Sequence, residues 1–188
     1  MIYLVWHGQT DFNKTKKFNG LTDTELTPLG IEQSKLQGEN LKGVYFDKVF
    51  SSTSKRARQT CEIIYKGEIT FDDRLTEINC GEFEGTEETP EAMQQFWHAI
   101  RNGSRGTETF QCFIDRNCDF CDMLAKHHAG ENILVVTHSA NARIFNYYFS
   151  GKSKDYDFKK SVIKNGGLLT FELSKNLHVV KNLALEIH

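Results

Sequence analysis

The chain has 188 residues, 26% of them charged, and a formal net charge of −2. That length buries one substantial core and is short for two full-sized domains. Interleaved acids and bases leave no broad cationic face, which argues against nucleic-acid binding by counterion release. The apolar run Ile2 to Trp6 is too short to span a bilayer and lacks the basic flank of a secretory signal, so a membrane-free, cytoplasmic protein is expected. The five cysteines are odd in number and follow no disulfide-framework spacing, which fits a reducing compartment and free thiols.

Residues 2–6 read as a buried strand running into Val5-Trp6-His7-Gly8-Gln9-Thr10. A helix should follow from Leu26-Thr27-Pro28, with Thr27 as its cap, Pro28 at its first position, and Ile31, Ser34 and Leu41 along it. Residues 46–50 suggest a second strand, and the Ser/Thr cluster at 51–54 should cap a helix reaching about Tyr65. A helical region spans about 90–129. In it Phe110, Phe113, Ile114, Cys118, Cys121 and Leu124 recur on one apolar face. Cys118 and Cys121 form a C-x-x-C pair, but their place on that face favours core packing over redox or metal chemistry. Residues 132–137 give a third strand and 139–149 a further helix, and 168–173 and 177–187 add late strands at an edge. Repeated strand-helix units imply a single α/β domain over 1–188: a three-layer α/β/α sandwich, mainly parallel, with an antiparallel edge strand.

Ligands of open α/β sheets bind beyond the carboxyl ends of the strands. Two strands here end in histidine, His7 and His138. Either alone reads as a hydrogen-bonded histidine; two in equivalent positions point to a pocket. Gly8 would let the backbone turn and approach a ligand, or would simply make a turn. Lys55, Arg56 and Arg58 crowd the first turn of their helix, where cations oppose the macrodipole unless an anion sits there. Arg56 is the best candidate to hold that anion, while Lys55 and Arg58 read as solvated charges. Glu77, between apolar neighbours and a glycine-bounded loop, suits a desolvated general acid, although on its own it would read as a solvated loop charge.

Taken together these stretches resemble the histidine phosphatase superfamily, the phosphoglycerate mutase-like proteins. The resemblance rests on His7-Gly8-Gln9-Thr10 with Asn13, on Gly20 to Asp23 and Leu26 to Gly30, and on Gln33. It continues through Ser51 to Thr60, Leu75-Thr76-Glu77 with Gly81 and Glu84-Gly85, and Val136-Thr137-His138-Ser139. The resemblance implies metal-independent, cofactor-free transfer through a phosphohistidine: His7 attacks phosphorus, Glu77 protonates the leaving oxygen, and Arg56, His138 and Asn13 hold phosphoryl oxygens. Gly8 and Ser139 are carried over as further phosphate contacts.

The family pattern has arginine where this chain has Trp6. An indole offers one neutral donor instead of a bidentate fork, a loss on the order of 3 kcal/mol. Trp6 thus implies a weakened enzyme or a phosphate-binding module, a retuned pocket in which the indole stacks on a substrate ring, or an introduced substitution. Lys14, Lys16, Lys17 and Arg143 are cations that could compensate, though each reads first as a surface charge. The short cap, about residues 86–106, resembles the small phosphatases of the α-ribazole phosphatase and broad-specificity type. Phe96 and Trp97 read as cap core, and with His98 they are candidates to line the pocket. The expected activity is phosphomonoester hydrolysis on a small-molecule substrate. A phospholigand-binding protein and a phosphoglycerate mutase are the alternatives, and a homodimer is compatible with each.

Overall fold

Strands Ile2–Trp6 (β1), Lys48–Ser51 (β2), Thr70–Phe71 (β3), Ile133–Thr137 (β4) and Leu168–Phe171 (β5) form one sheet in the order β3-β2-β4-β1-β5 in the computed structural model. The structure describes residues 1–153, 155–158 and 163–173. Neighbouring strands pair in parallel except β5, which lies antiparallel to β1 at the edge expected for it. The strand expected over 177–187 lies outside the described residues.

Side-chain alternation sets the layers, because successive residues of a strand face opposite sides of the sheet. Ile2 and Leu4 of β1 and Ile133 and Val135 of β4 join one buried cluster, and Val5, Leu134 and Val136 join another. The first is covered by helices Phe110–His127 (α5) and Ser139–Phe149 (α6), through Phe120, Cys121, Leu124, Ala142 and Phe145. The second is covered by Pro28–Asn40 (α2) and Lys55–Ile64 (α3), through Leu41, Ala57 and Cys61. Cys118 and Cys121 pack with the first cluster, in the core role expected of them. The short helix Asp11–Lys14 (α1) and the cap helix Pro90–Asn102 (α4) are the other α-helices among the described residues. Phe18, Ile78, Phe83, Phe96, Ile100 and Phe113 form a third apolar cluster beneath the cap.

One local expectation changes, the cap of α3. Thr27 caps α2 as anticipated, accepting from the Gly30 N–H at 3.1 Å, but Ile31 is 37% exposed. The buried face of α2 is Gly30, Ser34 and Gln37, because the helix backbone at Gly30 packs directly against the chain at Gly8 and Gln9. Ser54 occupies the cap position of α3 without a side-chain capping bond. The Lys55 N–H there donates to the carboxylate of Asp23 at 2.6 Å.

Candidate active site

The β1–β4 register decides the site. Trp6 pairs with Thr137, and the His7 N–H donates to the Thr137 carbonyl at 3.0 Å, so both chains leave the sheet at the same level. The His7 and His138 rings that follow lie 5.0 Å apart between centroids, tilted by 68°. α2, which follows β1 and α1, covers one face of the sheet and α6, which follows β4, the other. A crevice opens where adjacent strands diverge in this way.

His7 is 3% exposed and bonded at both ring nitrogens. Its Nδ1–H donates to the Gly8 carbonyl at 2.7 Å, and Nε2 accepts from Arg56 Nε–H at 3.1 Å. That pairing selects the neutral tautomer with a lone pair on Nε2. Burial, then the Arg56 charge, hold its pKa well below the usual 6.5. His138 is fully buried, with Nε2 2.8 Å from Ser52 Oγ. Burial, followed by Arg56 and His7, lowers its pKa as well.

Arg56 is fully buried behind His7. Nη1 donates to the Thr22 carbonyl at 3.0 Å, and Nη2 to Asn19 at 3.1 Å and Gly20 at 2.8 Å. The carboxylate of Glu84 shapes the loop that supplies these carbonyls, accepting from Gly20, Leu21, Thr22 and Cys80 backbone N–H groups. The anion expected at the start of α3 is therefore intramolecular: Asp23 caps the helix, and Glu25 pairs with Lys55. Arg58 lies over the Phe71 ring, 4.6 Å from its centroid.

Glu77 is half-buried, accepting from Ile78 N–H at 2.9 Å and from Ala140 N–H, at the start of α6, at 3.3 Å. Burial raises its pKa, against the pull of those N–H groups, Arg56 and Arg116. His7 and Glu77 are thus shifted in opposite senses, the imidazole down and the carboxyl up. Arg116 clamps the Glu77 segment, donating to the carbonyls of Arg74 and Thr76, each at 2.7 Å, and of Glu77 at 3.0 Å. Asn141 adds a bond to Thr76 O at 3.0 Å, and Asn165 Nδ2 reaches His7 O at 3.4 Å and Asn13 Oδ1 at 3.1 Å. Sequence reasoning missed Arg116, Asn141 and Asn165. Their partners lie tens of residues away, so no local spacing marks them.

Part of this constellation borders a cavity of about 370 Å³. His7, Asn13, Glu77, Ser139 and Trp6 line it, whereas Arg56 and His138 lie behind His7. Asn13 Oδ1 is engaged by the Thr10 N–H at 3.1 Å within a capping box. Gly8 does not line the cavity. Its N–H donates to Thr60 Oγ1 at 3.0 Å, and a Cβ there would stand 2.3 Å from the Gly30 carbonyl oxygen, so its smallness serves helix packing and not the close approach of a ligand. Phe12, Phe96, Trp97 and Phe110 wall the far side, and Lys16, Lys17 and Arg143 border it. His98 and Lys14 are not among its lining residues. Among the described residues no group of three or more His, Cys, Asp or Glu side chains is placed to hold a metal ion, and no helix is long and apolar enough to cross a membrane.

A model of the histidine phosphatase superfamily (branch 1) matches residues 2–185. A metal-independent phosphoserine phosphatase of Arabidopsis thaliana is 32% identical over 155 residues, 76% of this chain but 65% of that relative's length. A probable phosphoglycerate mutase of Salmonella choleraesuis is 33% identical over 147 residues, covering 73% of this chain and 68% of the relative. The structure of a putative α-ribazole-5'-phosphate phosphatase from Escherichia coli superposes with a TM-score of 0.83 at 23% identity, over 97% of this chain and 95% of the other, a likeness of fold. An Entamoeba histolytica phosphoserine phosphatase in complex with 3-phosphoglyceric acid gives 0.75 at 25% identity, over 90% and 89%.

Proposed function

The chain belongs to the histidine phosphatase superfamily (branch 1), and we propose that it is a metal-independent phosphomonoester hydrolase working through a phosphohistidine on His7. The observation that carries this reading is geometric: a buried imidazole whose Nδ1–H bond to Gly8 leaves the lone pair on Nε2, lining the same cavity as the Glu77 carboxyl, whose pKa burial raises.

Nε2 of His7 attacks phosphorus. The ester oxygen leaves as the alcohol, taking its proton from Glu77. The Nε2 lone pair is then spent on the N–P bond, so the Arg56 Nε–H that it had accepted turns to a phosphoryl oxygen. Glu77, now a carboxylate, takes a proton from water as that water attacks phosphorus, which releases phosphate and restores His7. Asn13, with Oδ1 engaged, meets the phosphoryl group through Nδ2, and Ser139 meets it from the first turn of α6. A single indole donor at Trp6 in place of a guanidinium fork makes turnover slower than an arginine would allow. Beyond the phosphorus the aromatic wall favours a leaving alcohol with an apolar body.

The test uses His7→Ala and a chelator. Activity on p-nitrophenyl phosphate should survive the chelator and vanish in the variant, and quenched enzyme should carry an acid-labile, base-stable phosphoryl group on His7. Label on serine or aspartate, or a requirement for magnesium, overturns the mechanism. Arg56, wholly enclosed with most of its donors on carbonyls, together with Trp6, favours a second reading: a protein that binds a phospholigand without turning it over. Such a protein binds vanadate and gives no turnover.

A further inference from the structure

Among the described residues three buried side-chain polar atoms lack a hydrogen-bond partner: Trp6 Nε1, His138 Nδ1 and Asn141 Oδ1. Native structures keep few such groups, because a buried donor without an acceptor loses its hydration for nothing. Two of the three flank the nucleophile. The Trp6 ring stands 6.0 Å from the His7 ring at 86°, and the His138 ring stands 5.0 Å from it.

The Trp6 orphan is a donor. An indole nitrogen can only donate. Trp6 is also held in place. Its N–H donates to Gly167 O and its carbonyl accepts from Gly166 N–H, each at 3.0 Å. These bonds fix the last residue of β1 against the turn before β5.

We infer that Trp6 is itself a phosphoryl contact: its indole N–H donates to one oxygen of the group carried on His7. This rests on the reading of His7 as the phosphoryl acceptor. Fixed N–H donors aimed at non-bridging oxygens serve the charge that develops there and need no reorganisation as it forms. Trp6 is then a weaker replacement for an arginine, one neutral donor that adds no further cation beside the buried Arg56.

The experiment uses the full-length ¹⁵N-labelled protein and orthovanadate as the probe. The chain has two tryptophans, Trp6 and Trp97, so its spectrum holds two indole N–H peaks. Trp6→Phe assigns them, or Trp97→Phe should Trp6→Phe fail to fold. The Trp6 peak should move downfield and saturate with vanadate. In a folded Trp6→Phe protein, which keeps the aromatic packing and loses only the donor, kcat/KM for p-nitrophenyl phosphate should fall about tenfold to a hundredfold, with a matching rise in the vanadate inhibition constant. An unmoved Trp6 peak at saturating vanadate, or a folded Trp6→Phe with unchanged kcat/KM, overturns the inference. A moving peak in a protein without turnover refutes the hydrolase reading and leaves this contact standing. Turnover through phosphohistidine with an unmoved peak does the reverse.

Discussion

Replacing Glu77 by glutamine separates its acid chemistry from its structural bonds. The amide keeps the size of the side chain and one carbonyl oxygen for the Ile78 or Ala140 N–H, but has no carboxylic proton. A positioned general acid contributes about 10²–10⁴-fold, or roughly 3–5 kcal/mol of barrier at 1.36 kcal/mol per tenfold. That loss should appear in full for alkyl phosphates, whose alcohols leave poorly. For p-nitrophenyl phosphate, which needs little protonation to depart, the loss should be about tenfold or less. The pH profile adds a second reading. Burial raises the Glu77 pKa, so the protonated form persists above the usual carboxyl range and kcat/KM falls as pH rises through the raised value. This alkaline limb should be absent in Glu77→Gln. Initial rates of both proteins on both substrates across pH decide the matter. Equal losses on the two substrates, or an alkaline limb that survives the substitution, would remove Glu77 from the acid role.

Trp6→Arg should raise kcat/KM by about tenfold to a thousandfold, since a charge-assisted fork replaces one neutral donor; a flat result in steady-state assays would show that Trp6 is not what limits turnover. His7 and His138 titrate near 6.5 when unfolded and well below it when folded. The unfolded chain therefore binds the extra protons, so their contribution to stability is full above about 6.5 and is lost as pH falls. Thermal melts between about pH 7 and pH 5 should show that loss, and His7→Gln/His138→Gln should flatten it. Gly8→Ala places a Cβ 2.3 Å from a backbone oxygen that cannot swing aside, so the melting temperature should drop by several degrees, in line with about 1–3 kcal/mol of overpacking; an unchanged melt refutes the packing role.

Much of this arrangement is legible in one dimension because the devices are local. Pro28 after Thr27 starts a helix, five apolar residues at 2–6 make a buried strand, and His7 and His138 each follow such a strand directly. The family resemblance added what those devices could not: it decided between the two readings of Glu77, general acid and solvated loop charge, and gave a meaning to the residue before His7. Ile31 lies on α2 but faces solvent, because the burial of that helix answers to a backbone contact at Gly30 instead of to hydrophobic spacing.

The sequence by itself determined which strands end in histidine, that a basic turn opens α3, and that Trp6 stands beside His7. Only the tertiary structure decided what these groups face. Parallel pairing of β1 with β4 brings His7 and His138 together from 131 positions apart, and the loop at 19–22 turns Arg56 inward onto its carbonyls. The same packing surrounds Glu77 and both imidazoles with enough protein to move their pKa values in opposite directions. Such shifts come from desolvation and from charges distant in the chain, quantities set by what is packed around a residue and not by its neighbours in sequence.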